Sequence, residues 1–160
     1  MSFRVGPATR ADRAEIGELC SRFAAVIAND RSHDAFDPTK TSASIAPLLE
    51  DDRFGVVLLA ECDDVAPARR DLVGYLVLTW GYSLESGGRE ALIDEVYAEP
   101  RGLGTGSALL SAAVTECERR GIGRMFLETE AVNEGARRLY LRQGFEVNDS
   151  IWMSRWISKP

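Results

Sequence analysis

The sequence predicts an α/β protein of one domain built around a mixed sheet, and three observations carry the prediction. Two apolar, β-branched segments, FGVVLLAEC (54–62) and LVGYLVLTWGY (72–82), follow each other across a polar connection. Segments of helical period alternate with strand-like segments on either side of them. A glycine-rich run, RGLGTG (101–106), stands between a strand and a helix. At 160 residues, 45% of them apolar, the chain is long enough for one core and fits a single domain over 1–160.

Taken in order, FRVGPAT (3–9) is a short strand that stops at Pro7. Thr9 and Asp12 have the spacing of a capping box, and Ile16, Leu19, Cys20, Phe23 and Ile27 then recur at helical intervals, so a helix is expected from about 10 to 28. NDRSHDAFDPTKTS (29–42) is polar and aperiodic, a loop. A short second helix is expected around Ile45, Leu48 and Leu49, with Pro47 confined to its first turn. The two apolar strands follow, joined by DDVAPARRD (63–71) as an antiparallel hairpin. SLESGGRE (83–90) is a turn, and ALIDEVYA (91–98) is a strand with two carboxylates inside it. A helix is expected from about Leu103 to Arg120, with Leu103, Leu110, Val114 and Cys117 on its apolar stripe and Gly121 closing it. MFLETE (125–130) is a strand, NEGARRLYLRQ (133–143) a helix backed by Gly144, and SIWMSRWI (150–157) a last alternating strand. The expected order is β-α-α-β-β-β-α-β-α-β.

The formal charge of −6 argues against a nucleic-acid partner, whose phosphates call for a basic face, and is compatible with a cationic substrate. No apolar run has the length of a membrane span, and MSFRVGPATR lacks a signal-peptide core, so a cytoplasmic protein with no membrane partner is expected. Cys20, Cys62 and Cys117 are odd in number and far apart, which fits reduced thiols and signals no zinc site or disulfide framework. The one histidine, His33, lies in the polar stretch and reads as a solvated loop residue. No metal is expected.

Why glycines at 102, 104 and 106? They follow a strand and open a helix, where free N–H groups and the positive end of the helix dipole attract anions. Glycine there lets a pyrophosphate approach the backbone; the plainer alternative is a tight turn. The run is not a P-loop, since no Gly-Lys-Ser/Thr follows. Nor is it a dinucleotide fingerprint, since the third position holds Ser107.

Arg101-Gly102-Leu103-Gly104-Thr105-Gly106 resembles the Arg/Gln-x-x-Gly-x-Gly/Ala signature of the GNAT superfamily of acyl-CoA N-acyltransferases. Asn133-x-x-Ala136-x-x-Leu139-Tyr140 followed by Gly144-Phe145 resembles that family's second motif, and the element order resembles the GNAT fold over nearly the whole chain. YSLESGGREALIDEVYAEP (82–100) is similar to a subgroup that includes polyamine and other small-amine acetyltransferases. One departure stands out: in the family a proline precedes the arginine by two residues, whereas here Pro100 and Arg101 adjoin.

The resemblance implies an N-acetyltransferase that moves the acetyl group of acetyl-CoA to a primary amine by direct transfer. It implies a splay between two strands at the cofactor site. Backbone groups of Val96, Tyr97 and Ala98 would hold the pantetheine arm, and Arg101, Gly102, Leu103, Gly104, Thr105, Gly106 and Ser107 the pyrophosphate. Asn133 would touch the cofactor from the other side, and Arg137, Arg138 or Arg142 would either meet the 3′-phosphate or belong to a solvated helix face. Glu95 would be the general base, with Asp94 the alternative and a role-free strand charge the fate of the other. Tyr140 would be the general acid, or else a packing aromatic. A sensor domain that binds acetyl-CoA without transferring it, and a protein lysine or N-terminal acetyltransferase, remain alternatives to a small-amine enzyme. GNAT domains commonly form homodimers; Trp152 and Trp156 suit either an interface or a core.

Overall fold

The structure, a computed structural model, describes residues 2–28, 37–63, 70–155 and 157. Five strands form one sheet in the order β1 (Phe3–Pro7), β2 (Gly55–Cys62), β3 (Leu72–Ser83), β4 (Gly88–Ala98), β5 (Arg124–Leu127). The first four pair antiparallel and β5 runs parallel to β4. The helices are α1 (Arg13–Ala28), α2 (Pro38–Glu50), α3 (Thr105–Arg119) and α4 (Glu134–Arg142).

Helices cover both faces of the sheet, which is why β2 and β3 read as unbroken apolar runs rather than alternating ones. On one face Val56, Leu58, Leu76, Leu78 and Ile93 pack with Leu109, Leu110, Ala113 and Cys117 of α3. On the other, Val57, Leu59, Tyr75, Val77 and Tyr97 pack with Ile16, Leu19 and Cys20 of α1 and Ile45 and Leu49 of α2. The helix expected from Leu103 begins at Thr105, leaving Leu103 exposed in the loop before it, and its stripe is rotated: Leu110 and Cys117 are buried, but Val114 is 39% exposed. Leu109 and Ala113 complete the stripe, because the sheet meets α3 one residue round from the face that the spacing alone suggested.

The capping box at the first helix forms. Thr9 donates its N–H (2.7 Å) and its hydroxyl (2.8 Å) to Asp12 Oδ2, and a 3-10 turn over Arg10–Asp12 leads into α1. Asp12 is 5% exposed and also receives the Arg70 guanidinium, which is shared with Glu61. The second helix is longer than the sequence suggested and Pro47 lies in its third turn, not its first. The start signal is Asp37-Pro38: the Asp37 carboxylate accepts from the N–H of Thr39 at 2.9 Å and of Lys40 at 3.4 Å, and Pro38 takes the first helical position, where no N–H is needed. Pro47 removes a single intrahelical bond near the far end. At the close of α3, Gly121 adopts φ +65° and donates to Glu118 O, as the sequence predicts.

The expected last strand does not form among the described residues. Residues 150–155 join no ladder, and Ile151, Trp152 and Met153 are exposed. With only four residues, β5 offers little edge to pair with; Trp152 stacks on Phe126 of that strand at 6.0 Å instead. His33 and Trp156 lie outside the described residues.

Two irregularities shape the middle of the sheet. Across β3 and β4, Val77 faces Glu95 and Leu78 faces Ile93, so Asp94 is an extra residue in a bulge. Between β4 and β5 pairing runs only from Glu90–Arg124 to Ile93–Leu127. Beyond Ile93, β4 continues for five residues without a neighbour on that side.

Candidate active site

The glycine loop turns tightly into α3. Gly102 and Gly104 have φ of +84° and +98°, the left-handed region that side chains avoid, and Gly104 is the N-cap. Gly106 is small for a different reason: a Cβ there would stand 2.9 Å from Leu139 Cδ2 of α4. Each glycine thus has a conformational or packing cause, and the space beside Gly102 is open, since a Cβ there would meet nothing within 4 Å. The first helical bond runs from Ala108 N–H to Gly104 O at 3.0 Å, so the N–H groups of Thr105, Gly106 and Ser107 have no intrahelical acceptor. Thr105 is 1% exposed and its Oγ1 has no hydrogen-bond partner among the described residues. Free amides, a positive helix end and an orphaned hydroxyl fit the phosphates of acetyl-CoA. Arg101 and Leu103 are exposed on the rim.

The length of β4 without a β5 partner, Asp94 to Ala98, leads directly into this loop. Alternate N–H and C=O groups of an edge strand face outward, and the pantetheine arm carries amides that can pair with them. Val96 and Ala98 turn their side chains to the α3 face. The Tyr97 side chain lies on the other face, buried, donating its hydroxyl to Glu99, which also pairs with Arg22 of α1. Burial, with the Glu99 contact, pushes the Tyr97 phenol up to about 12. Only its backbone is available to the gap.

The bulge decides where the two carboxylates go. Ile93 faces α3, and without the extra residue Glu95 would do the same; with it, Glu95 falls opposite Val77 and faces α1. There it accepts a hydrogen bond at Oε2 from Tyr75 Oη, 2.7 Å away. Burial lifts its carboxyl above the ordinary glutamate range; the Tyr75 bond opposes the rise and the neighbouring Asp94 charge adds to it. Asp94, the bulged residue, keeps an exposed side chain, yet the protein atoms crowding the gap still raise its carboxyl. Tyr75 was not legible as a site residue in the sequence. Its one signal is a phenol in the middle of an otherwise apolar strand.

Tyr140 projects from α4 to the opposite face of the sheet, half-buried against the α3 cluster and edge-on to Phe145 at 5.8 Å. Burial raises its phenol, so it stays protonated through the neutral range. Glu95 and Tyr140 therefore lie on opposite faces of the sheet. Asn133 caps α4, its Oδ1 accepting from Ala136 N–H at 3.3 Å. Arg138 pairs with Glu134 on the exposed face of α4, and Arg137 donates to Ala131 O. A cleft of about 790 Å³ does not coincide with the β4–β5 opening: it lies on the outer side of β5, lined by Phe126, Tyr140, Val147 and Trp152 among others. The unpaired backbone of β4 and the N-terminus of α3 lie outside that cleft's lining. Among the described residues no group of three or more His, Cys, Asp or Glu side chains converges as a metal site, and no helix is long and apolar enough to cross a membrane.

Residues 22–145, which span both the glycine loop and Tyr140, match the acetyltransferase (GNAT) family. The chain is a member of the GNAT acetyltransferase family. It is accordingly an acyltransferase, of a family that uses acetyl-CoA. No curated protein matches this GNAT acetyltransferase. Among solved structures it is similar to an integron cassette protein from the mobile metagenome of Cole Harbour Salt Marsh, with 25% identity and a TM-score of 0.80 over 98% of this chain and 91% of that one. It shares its fold with a ribosomal-protein-alanine N-acetyltransferase from Brucella melitensis biovar Abortus 2308, with 20% identity and a TM-score of 0.73 over 98% and 100% of the two chains. The fold is also that of an aminoglycoside acetyltransferase from an uncultured soil metagenomic sample, solved in complex with sisomicin, with 16% identity and a TM-score of 0.73 over 98% and 97%.

Proposed function

We propose that this GNAT acetyltransferase moves an acetyl group from acetyl-CoA to the primary amine of a small, cationic molecule, with both substrates bound together. The observation that carries the reading is the opening of the sheet after Ile93 and Leu127, with a carboxylate of raised pKa on one face and a protonated phenol on the other. When bound, acetyl-CoA supplies the activated acetyl group and a thiolate leaving group. Thr105, Gly106 and Ser107 hold its phosphates through their N–H groups, and the free backbone of Val96, Tyr97 and Ala98 orients its arm.

An amine arrives at neutral pH as an ammonium ion and is not nucleophilic until it loses a proton. Glu95 takes that proton, directly or through one water; its raised pKa brings it nearer the operating pH, where a base is most effective. Its charge also attracts the ammonium before transfer. Tyr140, protonated because it is buried, donates from Oη to the sulfur as negative charge gathers there. Preorganised backbone N–H groups along β4 stabilise the developing oxyanion without reorganising. The acidic net charge and the adjacent Asp94 favour a cationic acceptor. The sisomicin-bound neighbour is an aminoglycoside acetyltransferase and the other a ribosomal-protein-alanine N-acetyltransferase, so the shared fold serves both small-molecule and protein acceptors.

Asp94 supports a second reading of the base, because its side chain is the more accessible of the two. Thiol release from acetyl-CoA, measured against panels of diamines, aminoglycosides and peptides, tests the whole reading. Turnover with the small amines and not with peptides is expected; binding without turnover on any panel would make the chain a sensor. With a responding amine, Glu95→Gln is expected to lower kcat about 100-fold and Asp94→Asn much less. The reverse order would move the base to Asp94.

A further inference from the structure

Tyr75 is fully buried in the middle of β3, between the rings of Phe23 at 6.4 Å and Tyr97 at 6.1 Å. Packing alone would be satisfied there by phenylalanine, which brings no hydroxyl to bury. A phenol in such a place needs a partner, and it has one in Glu95 Oε2 at 2.7 Å. Oε1 of the same carboxylate has no hydrogen-bond partner among the described residues. One oxygen of the group is thus fixed by a rigid, buried donor on the neighbouring strand, while the other is left available.

We propose that Tyr75 is a positioning residue for acetyl transfer: its hydroxyl anchors Oε2 of Glu95 and leaves Oε1 to take the proton of the acceptor amine. The inference rests on the reading of Glu95 as the base. A flexible glutamate on an edge strand would sample several rotamers, and misplacement of a base by an ångström is costly. Two packed rings hold Tyr75, so the anchor does not move with the substrate. A donor aimed at a carboxylate also favours its charged form, which counters the effect of burial.

The groups around the pair are few. From α1 come the Cys20 thiol, buried in the same cluster as Tyr75, and Arg22, which is paired with Glu99. From β4 come Asp94 beside Glu95, and Tyr97, bonded to Glu99. Arg101 follows in the loop and reaches the Tyr97–Glu99 pair electrostatically. From α2 the contacts are apolar, Ile45, Leu48 and Leu49. Among these, the Tyr75 hydroxyl is the one donor bonded to Glu95.

The test is the pH dependence of kcat/KM for a responding amine in Tyr75→Phe, which keeps the ring and removes the hydroxyl. The acidic limb is expected to move up by about one pH unit, since a hydrogen bond to a charged group is lost. The plateau kcat should fall about tenfold, the lower end of what a well-placed base contributes, and the KM for acetyl-CoA should stay unchanged. A folded Tyr75→Phe enzyme with an unmoved limb and plateau overturns the proposal. If Tyr75→Phe fails to fold, a fluorinated tyrosine placed at 75 alone keeps shape and bond while making a stronger donor. The limb should then move down, and an unmoved limb overturns the proposal equally. Glu95→Gln separates the premise from the inference: if it retains the wild-type rate and limb, the base is elsewhere and the proposal falls with it, whereas if only Tyr75→Phe is silent, Glu95 stands as base without this anchor.

Discussion

Replacing Gly104 with alanine separates what a glycine does for the fold from what it does for the ligand. Gly104 has φ +98°, and an L-residue held in that region costs about 1–2 kcal/mol. The added Cβ would make only ordinary contact, 3.9 Å from Phe3 Cε2, so no clash adds to the strain. A domain of this size loses about 2–4 °C of Tm per kcal/mol, so Gly104→Ala should melt about 2–8 °C below wild type and stay folded at 25 °C. Gly121 gives the matched control. Its φ is +65°, a Cβ there meets nothing within 4 Å, and it lies at the far end of α3. Gly121→Ala should carry a similar stability loss. The two variants should part in calorimetric titration with acetyl-CoA: the new methyl at 104 stands at the mouth of the N–H cradle, and charge-assisted bonds are worth about 1.5–3 kcal/mol each. Loss of one of them weakens Gly104→Ala about 10- to 100-fold by that figure, while Gly121→Ala binds as wild type. Unchanged affinity in a folded Gly104→Ala protein, or equal losses in both variants, would refute the cradle.

Tyr140→Phe keeps the ring against Phe145 and removes only the hydroxyl; kcat and kcat/KM should fall together by about 100-fold with acetyl-CoA affinity intact, and a wild-type rate would make Tyr140 a packing residue. Asp12→Asn should destabilise the protein at pH 7 by about 1–3 kcal/mol, because burial alone would raise this carboxyl but the Arg70 guanidinium and the Thr9 N–H and hydroxyl hold it below its ordinary value. A depressed carboxyl stabilises the fold above the unfolded-state pKa, near 3.9, and that contribution disappears as the pH falls through the lower folded value. Urea unfolding should therefore show a gap between wild type and Asp12→Asn that is full at pH 7 and closes in acid; a gap independent of pH would mean the ion pair is not its source.

Local features of the fold were legible because their causes lie within a few residues of each other. The Thr9–Asp12 box, the left-handed turn at Gly121, the apolar runs of β2 and β3 and the glycine loop before α3 are all written in adjacent side chains and backbone preferences. The same locality made the loop and Asn133-to-Tyr140 motifs recognisable. Local signals conflict elsewhere: Pro47 argues for a later start of α2 than Asp37-Pro38 gives it, and the alternation at 150–157 has the pattern of a strand but pairs with nothing among the described residues. Three decisions were made only by tertiary structure. The bulge at Asp94 turned Glu95 towards α1, the short β5 left the end of β4 unpaired, and the pairing of β3 with β4 brought Tyr75 to Glu95 from twenty positions away in the chain. Each depends on cross-strand register, which is the sum of many weak contacts between distant segments. One residue of slip reverses every side chain beyond it, and no short stretch of sequence carries that sum.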